Sequence, residues 1–219
     1  MLKSPFTNIN ERIAAFETSD IYPVISSEFC NGRDPLMILR AVAAAGAKLV
    51  QLREKNLTKK DLYELGVEYR KITFEYHMLL IVNDHTDLAL ALNADGVHLG
   101  QDDLPLNAAQ KIAPELLFGV STHNPEEAVE AVRDGAGYIN IGPIYPTGTK
   151  QVNCGAVGTE MIRQIAPALP IPFSVMGGIK SKHIQELRAA GANHIAMVTE
   201  ITQADDVFER TVKLRKLFL

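Results

Sequence analysis

The chain has 219 residues, of which 47% are hydrophobic and 22% charged, and its net charge at pH 7 is -4. This composition is globular, and the length fits one domain, because α/β barrels commonly reach about 250 residues as a single unit. The acidic balance argues against a nucleic-acid-binding surface. Two cysteines are too few for a disulfide framework or a thiolate zinc site. No signal peptide or membrane span is evident in the sequence, so we expect a cytoplasmic protein that does not bind membranes.

Eight short apolar runs rich in β-branched residues alternate with helix-like segments along the chain. The predicted strands are, in chain order, 21–25, 48–52, 79–82, 96–99, 117–120, 138–141, 172–175 and 194–198. Strands that alternate with helices form parallel β-α units, and eight such units predict an α/β fold, a single closed (β/α)8 TIM barrel. An open, doubly wound sheet stays an alternative, because periodicity alone does not show closure.

The segment before the first strand is a short N-terminal extension. We expect residues 1–20 to contain a capping helix around NERIAAFE (10–17) and the barrel to span residues 21–219. Four predicted helices end in Ala/Gly clusters, of which RDGAGY (133–138) is one example. Glycine after the last helical turn is a common C-cap, so the repeated clusters mark short connections from helix to strand.

Polar side chains follow the carboxyl ends of the predicted strands, where barrels of this type carry their active sites. These residues are Gln51, Arg53, Glu54 and Lys55 after the second strand, Asn83 and Asp84 after the third, Gln101, Asp102 and Asp103 after the fourth, Ser121, Thr122 and His123 after the fifth, Lys150 after the sixth, and Gly177 and Gly178 after the seventh. The cations can neutralise phosphate oxygens. Asp84 and Asp103 are hard oxygen ligands of the kind that Mg²⁺ takes together with substrate phosphate. The set indicates a pyrophosphate site with magnesium, and the glycine pair permits a close backbone approach to a second phosphate.

Five stretches, in this order, resemble the thiamine phosphate synthase family and cover most of the predicted barrel. They are VQLREK (50–55), IVNDHTDLALALNADGVHLGQDDLP (81–105), GVSTHNPEEA (119–128), YINIGPIYPTGTK (138–150) and MGGI (176–179). The resemblance implies a magnesium-dependent transferase that joins a pyrimidine methyl pyrophosphate to a thiazole phosphate and releases pyrophosphate. It also implies a dissociative mechanism, in which pyrophosphate departs first and the thiazole nitrogen attacks the pyrimidine carbocation.

The resemblance assigns roles residue by residue. The residues implied to contact the pyrimidine pyrophosphate are Gln51, Arg53, Lys55, Asn83, Ser121 and Lys150, and those implied to hold the thiazole phosphate are Thr147, Thr149, Gly178, Val198 and Thr199. Asp84 and Asp103 would be the magnesium ligands. Among the pyrimidine contacts, the implied catalytic residues are Arg53, Lys55, Ser121 and Lys150. They would act by electrostatic stabilisation and positioning, since this chemistry needs no protein nucleophile or base.

Each assignment has a structural alternative. Arg53 and Lys55 could form a solvated ion cluster with Glu54. The pair Asn83–Asp84 could cap the helix that follows it, and Asp103 could serve a turn. The segment TGT (147–149) could be an ordinary loop. We expect His98, which lies within a strand, to be a hydrogen-bonded core residue rather than a metal ligand.

Some positions depart from the family pattern on the thiazole side. Val175 and Met176 stand where smaller or branched residues are common, and they would narrow the pocket. Glu200 would repel a phosphate unless its side chain points away. His123 matches a histidine of the related thiazole tautomerases, which leaves open an isomerase that acts on the thiazole phosphate alone. A barrel that binds a thiamine precursor without turnover also stays open, as does a homo-oligomer.

Overall fold

The predicted strands form a closed parallel barrel in the computed structural model, which describes residues 2–149 and 155–219. The strands are β1 (Ile21–Ile25), β2 (Leu49–Leu52), β3 (Leu79–Asn83), β4 (Gly96–Leu99), β5 (Leu117–Thr122), β6 (Tyr138–Ile141), β7 (Phe173–Val175) and β8 (His194–Met197). Each strand pairs in parallel with the next, and β8 pairs with β1. The prediction of a (β/α)8 barrel is confirmed, and the open-sheet alternative is wrong.

Helices connect the strands on the outside of the barrel. They are α1 (Ile9–Glu17), α2 (Pro35–Ala44), α3 (Lys59–Glu75), α4 (Thr86–Ala91), α5 (Leu106–Ile112), α6 (Pro125–Arg133), α7 (Gly158–Ile165), α8 (Ile184–Ala189), α9 (Thr199–Thr202) and α10 (Val207–Lys216). Helix α6 shows how local sequence sets the ends: the Asn124 side chain accepts from the Glu127 amide at 2.8 Å, and Gly135 follows the helix with a φ of +86°. In the part of the chain that the structure describes, no helix has the length and apolar character to cross a membrane.

The core has two layers. The larger one lies between the outer faces of the strands and the helices, and the smaller one fills the barrel interior with Tyr22, Tyr138 and neighbouring aliphatic side chains. Because both faces of the strands are buried, the strands are largely apolar without strict alternation. Helix α1 covers the amino-terminal end of the barrel, where its fully buried Phe16 stacks on Tyr138 with ring centroids 4.4 Å apart. The division of the chain at residue 20 stays a prediction.

A depression of about 520 Å³ lies at this amino-terminal end, beside Glu17, Phe173 and His194. The described residues that line it include no lysine or arginine. A phosphate ligand requires cations or backbone amides. This depression is therefore a poor candidate for a phosphate site. The predicted site residues lie at the opposite, carboxyl-terminal end of the strands.

Candidate active site

The stretch QLREK (51–55) leaves β2 with its side chains sorted by burial. Gln51 is buried in the barrel interior, Arg53 is half-buried, and Lys55 is exposed at the rim. Glu54 is buried and turns toward Ser27, whose backbone amide and hydroxyl donate to its carboxylate at 2.8 and 2.7 Å. The ion-cluster alternative with Glu54 is therefore wrong. Within the described residues no carboxylate pairs with the Arg53 guanidinium, which leaves it available to an anionic ligand.

Two carboxylates meet at the ends of neighbouring strands. Asp84 follows β3, and its amide donates to the His98 carbonyl at 2.9 Å, while Asp103 follows β4 and accepts from the Gly100 amide at 2.7 Å. Burial, and next a hydrogen bond to Asp84, raise the pKa of the Asp103 carboxyl above its ordinary value. Lys55 Nζ lies 2.5 Å from the Asp84 carboxylate. The geometry thus gathers two acids and a cation at one point of the rim.

This acid pair fits a hard divalent cation. Asp84 and Asp103 are neighbouring carboxylates, and the pKa of Asp103 is raised. A cation between them would reduce the repulsion between their negative charges. The described residues contain no cluster of three or more metal-ligating side chains, and Mg²⁺ typically completes its shell with water and substrate phosphate. The helix-cap alternative is wrong, because His85 occupies the N-cap of α4 and no side chain caps that helix. Asp103 does serve a turn through Gly100, and its carboxyl still reaches Asp84.

A chain of buried hydrogen bonds crosses the barrel interior and joins two predicted pyrimidine contacts. Gln51 Nε2 donates to the Tyr22 hydroxyl at 2.9 Å, and the Tyr22 and Tyr138 hydroxyls are 3.1 Å apart. His98 Nδ1 lies 3.1 Å from the Tyr138 hydroxyl, and His98 Nε2 lies 2.9 Å from Ser121 Oγ. Burial raises the pKa of both tyrosines, so they stay neutral. These hydrogen bonds fix the side chains of Gln51 and Ser121 relative to each other across the barrel.

The sequence analysis did not identify the two tyrosines, Tyr22 and Tyr138, that take part in these buried hydrogen bonds. A polar side chain within an otherwise apolar strand is the available signal, since every second residue of a barrel strand points inward. His98 is hydrogen-bonded inside the barrel, as expected. Asn83 ends β3 and is buried beside His98 of the neighbouring strand.

The loops after β6 and β7 are joined through their backbones. The Tyr145 amide donates to the Gly177 carbonyl at 3.0 Å. Gly178 has a φ of +62°, and a Cβ at this position would meet the carbonyl oxygen of Pro146. Only glycine combines this left-handed conformation with such a close approach. The glycine pair therefore brings the TGT segment (147–149) against the end of β7.

A cleft lies between these loops and the end of β8. The predicted thiazole contacts all line it: Thr147, Thr149, Gly178, Val198 and Thr199. Met176 lines it as well, whereas Val175 is fully buried in the outer core layer, so the expected narrowing by Val175 is wrong. Lys180, which the sequence analysis did not single out, is also part of the lining.

A second cleft adjoins the first and shares Thr147, Thr149, Met176 and Gly177 with it. Its other wall contains Ser121 and His123. His123 Nδ1 lies 2.8 Å from the Glu127 carboxylate, which also accepts from the His123 amide at 2.8 Å. Ser121, one of the predicted pyrimidine contacts, therefore borders the same space as the predicted thiazole contacts. Lys150 lies outside the described residues, and the roles of all these side chains stay predictions.

The fold and this polar rim define the class: a (β/α)8 barrel with a cluster of polar and charged side chains on its carboxyl-terminal loops. The family described as thiamine monophosphate synthase matches residues 21–201. The chain belongs to this family, as the sequence resemblance predicted.

Individual relatives are similar to this protein over most of its length. The thiamine-phosphate synthase of Caldicellulosiruptor saccharolyticus is 40% identical over 205 residues, which are 93% of each chain. That of Shouchella clausii is 43% identical over 188 residues, 85% of this chain and 90% of the relative. Among solved structures, the thiamine phosphate pyrophosphorylase of Pyrococcus furiosus superposes with a TM-score of 0.86 at 33% identity, covering 93% of this chain and 96% of that one.

Proposed function

We propose that this protein forms thiamine phosphate by magnesium-dependent transfer of a hydroxymethylpyrimidine group from its pyrophosphate to a hydroxyethylthiazole phosphate. Thiamine phosphate synthase activity, and with it the transferase class, follows from the family and the relatives. The metal and the residue roles are the proposed part. The observation that carries them is the meeting of Asp84, Asp103 and Lys55 at the mouth of the barrel.

The leaving pyrophosphate would lie at this point of the rim. Arg53 and Lys55 neutralise its oxygens, and the same role is proposed for Lys150, which lies outside the described residues. A magnesium ion held by Asp84 and Asp103 would supply further electrostatic stabilisation of the departing oxygens. Lys55, which pairs with Asp84 in the free protein, would shift from that carboxylate to the pyrophosphate.

The pyrimidine would lie inward of the pyrophosphate. Gln51 and Ser121 contact it, and the buried chain through Tyr22, Tyr138 and His98 keeps both side chains in fixed orientations. Asn83 completes this side from the end of β3. Such positioning matters because bond breaking leaves a carbocation that must meet the thiazole before water does.

The thiazole phosphate would occupy the cleft lined by Thr147, Thr149, Gly178, Val198 and Thr199. The carbon–oxygen bond of the pyrimidine pyrophosphate breaks with its electron pair leaving on pyrophosphate. The thiazole nitrogen then uses its lone pair to form the carbon–nitrogen bond. No proton is transferred in these steps, so the site needs no general base.

The test is an assay of purified protein with both substrates and magnesium, followed by chromatography for thiamine phosphate and pyrophosphate. We expect both products in equal amounts, and none when either substrate is withheld or when a chelator removes the metal. A folded protein that gives no thiamine phosphate under any divalent cation would contradict the proposal.

The tautomerase alternative is favoured by one observation, the hydrogen bond that orients His123 against Glu127 beside the cleft. Its expected result differs: the thiazole phosphate would isomerise without the pyrimidine and without a metal. A precursor-binding barrel would bind the thiazole phosphate without any turnover. The acid pair and the cations of the rim support the synthase, because neither alternative requires a pyrophosphate site.

The remaining parts of the proposal concern the surroundings of the enzyme. We propose small-molecule substrates as its ligands, no nucleic acid among them, and a cytoplasmic location. Cys30 is a free, buried thiol, which suits a reducing compartment. A homo-oligomer stays a prediction, and size-exclusion chromatography with light scattering would test it.

A further inference from the structure

Glu200 stands directly beside the cleft proposed for the thiazole phosphate, where an acid is unexpected. Its side chain is 11% exposed and turns away from the cleft. One carboxylate oxygen accepts from the Ser181 amide at 3.1 Å and lies 3.4 Å from an Arg210 guanidinium nitrogen. The other oxygen lies 3.5 Å from Lys180 Nζ. Two cations therefore compensate the single negative charge, and the repulsion expected from sequence is removed.

Lys180 connects this ion cluster to the cleft. Its Nζ donates to Thr199 Oγ1 at 3.2 Å, so the ammonium lies between the Glu200 carboxylate and the Thr199 hydroxyl. The side chain is 46% exposed, which leaves its remaining N–H groups accessible to a ligand. Among the described residues that line this cleft, Lys180 carries the one charged side chain.

A phosphate ester at neutral pH carries between one and two negative charges, and backbone amides offset them only through partial charges. We propose that Lys180 is a specificity-determining residue that supplies a full positive charge to the phosphate of the thiazole substrate, and that Glu200, held by Arg210, positions it. The inference rests on the proposed function. It assigns to this chain a means of preferring the phosphorylated thiazole over the thiazole alcohol.

The position of Lys180 also has a conformational consequence. A lysine side chain loses rotamer entropy when it binds a ligand. A carboxylate partner that already restricts the lysine in the free protein reduces the entropy lost when the phosphate binds. Glu200 is itself fixed by Ser181 and Arg210, so it can act as a rigid anchor. Lys180 would then move a short distance from the anchor to the phosphate.

The first test compares Lys180→Gln with Lys182→Gln, a neighbouring exposed lysine outside the cleft. We expect Lys180→Gln to raise KM for the thiazole phosphate about tenfold. This is about the loss of affinity expected when one hydrogen bond to a charged group is removed. KM for the pyrimidine pyrophosphate and kcat at saturation stay unchanged. The preference for the phosphorylated thiazole over the alcohol falls by a similar factor. Lys180→Arg restores most of the affinity, and Lys182→Gln behaves as wild type.

The second test concerns Glu200 as a positioning residue. Glu200→Gln is expected to raise KM for the thiazole phosphate by a smaller factor in the wild-type background. In the Lys180→Gln background it is expected to have no further effect, because a residue that acts through Lys180 has nothing left to position. Independent effects that multiply would overturn the assignment of Glu200.

Calorimetric binding of the thiazole phosphate separates this inference from the proposed function. Equal dissociation constants for wild type and Lys180→Gln would overturn the role of Lys180, whether or not turnover is seen, and would reduce its contact with Glu200 to a surface ion pair. Binding that depends on Lys180 in a protein without turnover would support the inference and contradict the synthase proposal alone.

Discussion

Asp84 and Asp103, from the ends of β3 and β4, hold their carboxyl groups within hydrogen-bonding reach of each other. Asp84 does so with a φ of +63°, a left-handed conformation that is uncommon for residues other than glycine. Burial and the neighbouring acid raise the pKa of Asp103. Backbone strain and like charges at one point are costs that a fold rarely keeps without a function. Asp84 and Asp103 are the residues for which the sequence predicts a magnesium site, and that role stays a prediction.

Asp103→Asn should stabilise the metal-free protein. The substitution removes one of two like charges and keeps an oxygen that can accept from the Gly100 amide. We expect the midpoint of thermal unfolding to rise by about 1–3 °C in the presence of a chelator. Saturating magnesium should stabilise the wild type and leave the variant unaffected. A lower midpoint for the variant in chelator would show that the acid pair is not a source of strain.

Tyr22→Phe should weaken both the fold and the pyrimidine site. The variant leaves Gln51 Nε2 without its buried acceptor and removes one of the two partners of the Tyr138 hydroxyl, which costs about 1–3 kcal/mol of unfolding free energy. KM for the pyrimidine pyrophosphate should rise several-fold, while KM for the thiazole phosphate stays unchanged. Urea unfolding and initial rates measure the two effects. Tyr76→Phe, on an exposed tyrosine, is the matched control. Equal increases in both KM values would contradict the positioning role.

Much of this architecture follows from local sequence, because the strands are short and apolar, helices alternate with them, and several helices begin and end at residues typical of helix ends. The breaks between elements at Asn124 and Gly135 show this directly. The side chains on the rim are predictable for the same reason: the carboxyl ends of parallel strands meet at one end of a barrel. The proximity of Asp84 and Asp103 is predictable in this way, because they follow two neighbouring strands of the barrel.

Side-chain direction and long-range partners were not predictable from the sequence. Glu54 and Lys55 are adjacent in sequence, yet one turns to Ser27 and the other to Asp84. The contact between Tyr22 and Tyr138 joins residues that are 116 positions apart. Glu200 appeared unfavourable because its partner Arg210 belongs to another helix. Such contacts depend on how the barrel closes and on the register of its strands, which periodicity does not fix.

Gly178→Ala should damage the thiazole side selectively. The added Cβ meets the Pro146 carbonyl in a conformation with a φ of +62°, so we expect a loss of roughly 2 kcal/mol or more in unfolding free energy. KM for the thiazole phosphate should rise sharply. Gly191→Ala is the control, because its φ of +102° is also left-handed but its Cβ would meet no atom within 4 Å. The control should lose about 1 kcal/mol and keep its KM values. Similar KM changes in both variants would show that the close approach at Gly178 has no role in binding.

The stability of the fold should depend on pH through His194. Its Nδ1 lies 2.8 Å from the Ser19 carbonyl oxygen and its ring packs on Phe16, and burial lowers the pKa of the imidazole below its ordinary value. A lowered folded-state pKa means that the unfolded chain binds the proton more readily. The stabilisation is therefore complete above the ordinary pKa and is lost as pH falls through the folded-state value.

His194→Gln keeps a side-chain donor for Ser19 and cannot titrate. We expect the unfolding free energy of the wild type to fall more steeply between pH 7 and 5 than that of the variant, within the range where histidines titrate. Urea unfolding at several pH values measures this difference. Parallel curves for the two proteins would show that His194 has the same pKa in the folded and unfolded states.

We propose that Asp84 holds the catalytic metal at the rim. The most direct test of this role is the rate of thiamine phosphate formation as a function of magnesium concentration, compared between wild type, Asp84→Asn and Asp102→Asn. Asparagine tolerates the left-handed conformation, so Asp84→Asn should fold normally. Asp102 is exposed and serves as the control. We predict a saturable magnesium dependence for wild type and Asp102→Asn, and a loss of at least about a hundredfold in rate for Asp84→Asn. A folded Asp84→Asn protein with the wild-type rate and magnesium dependence would contradict a metal-binding role for Asp84.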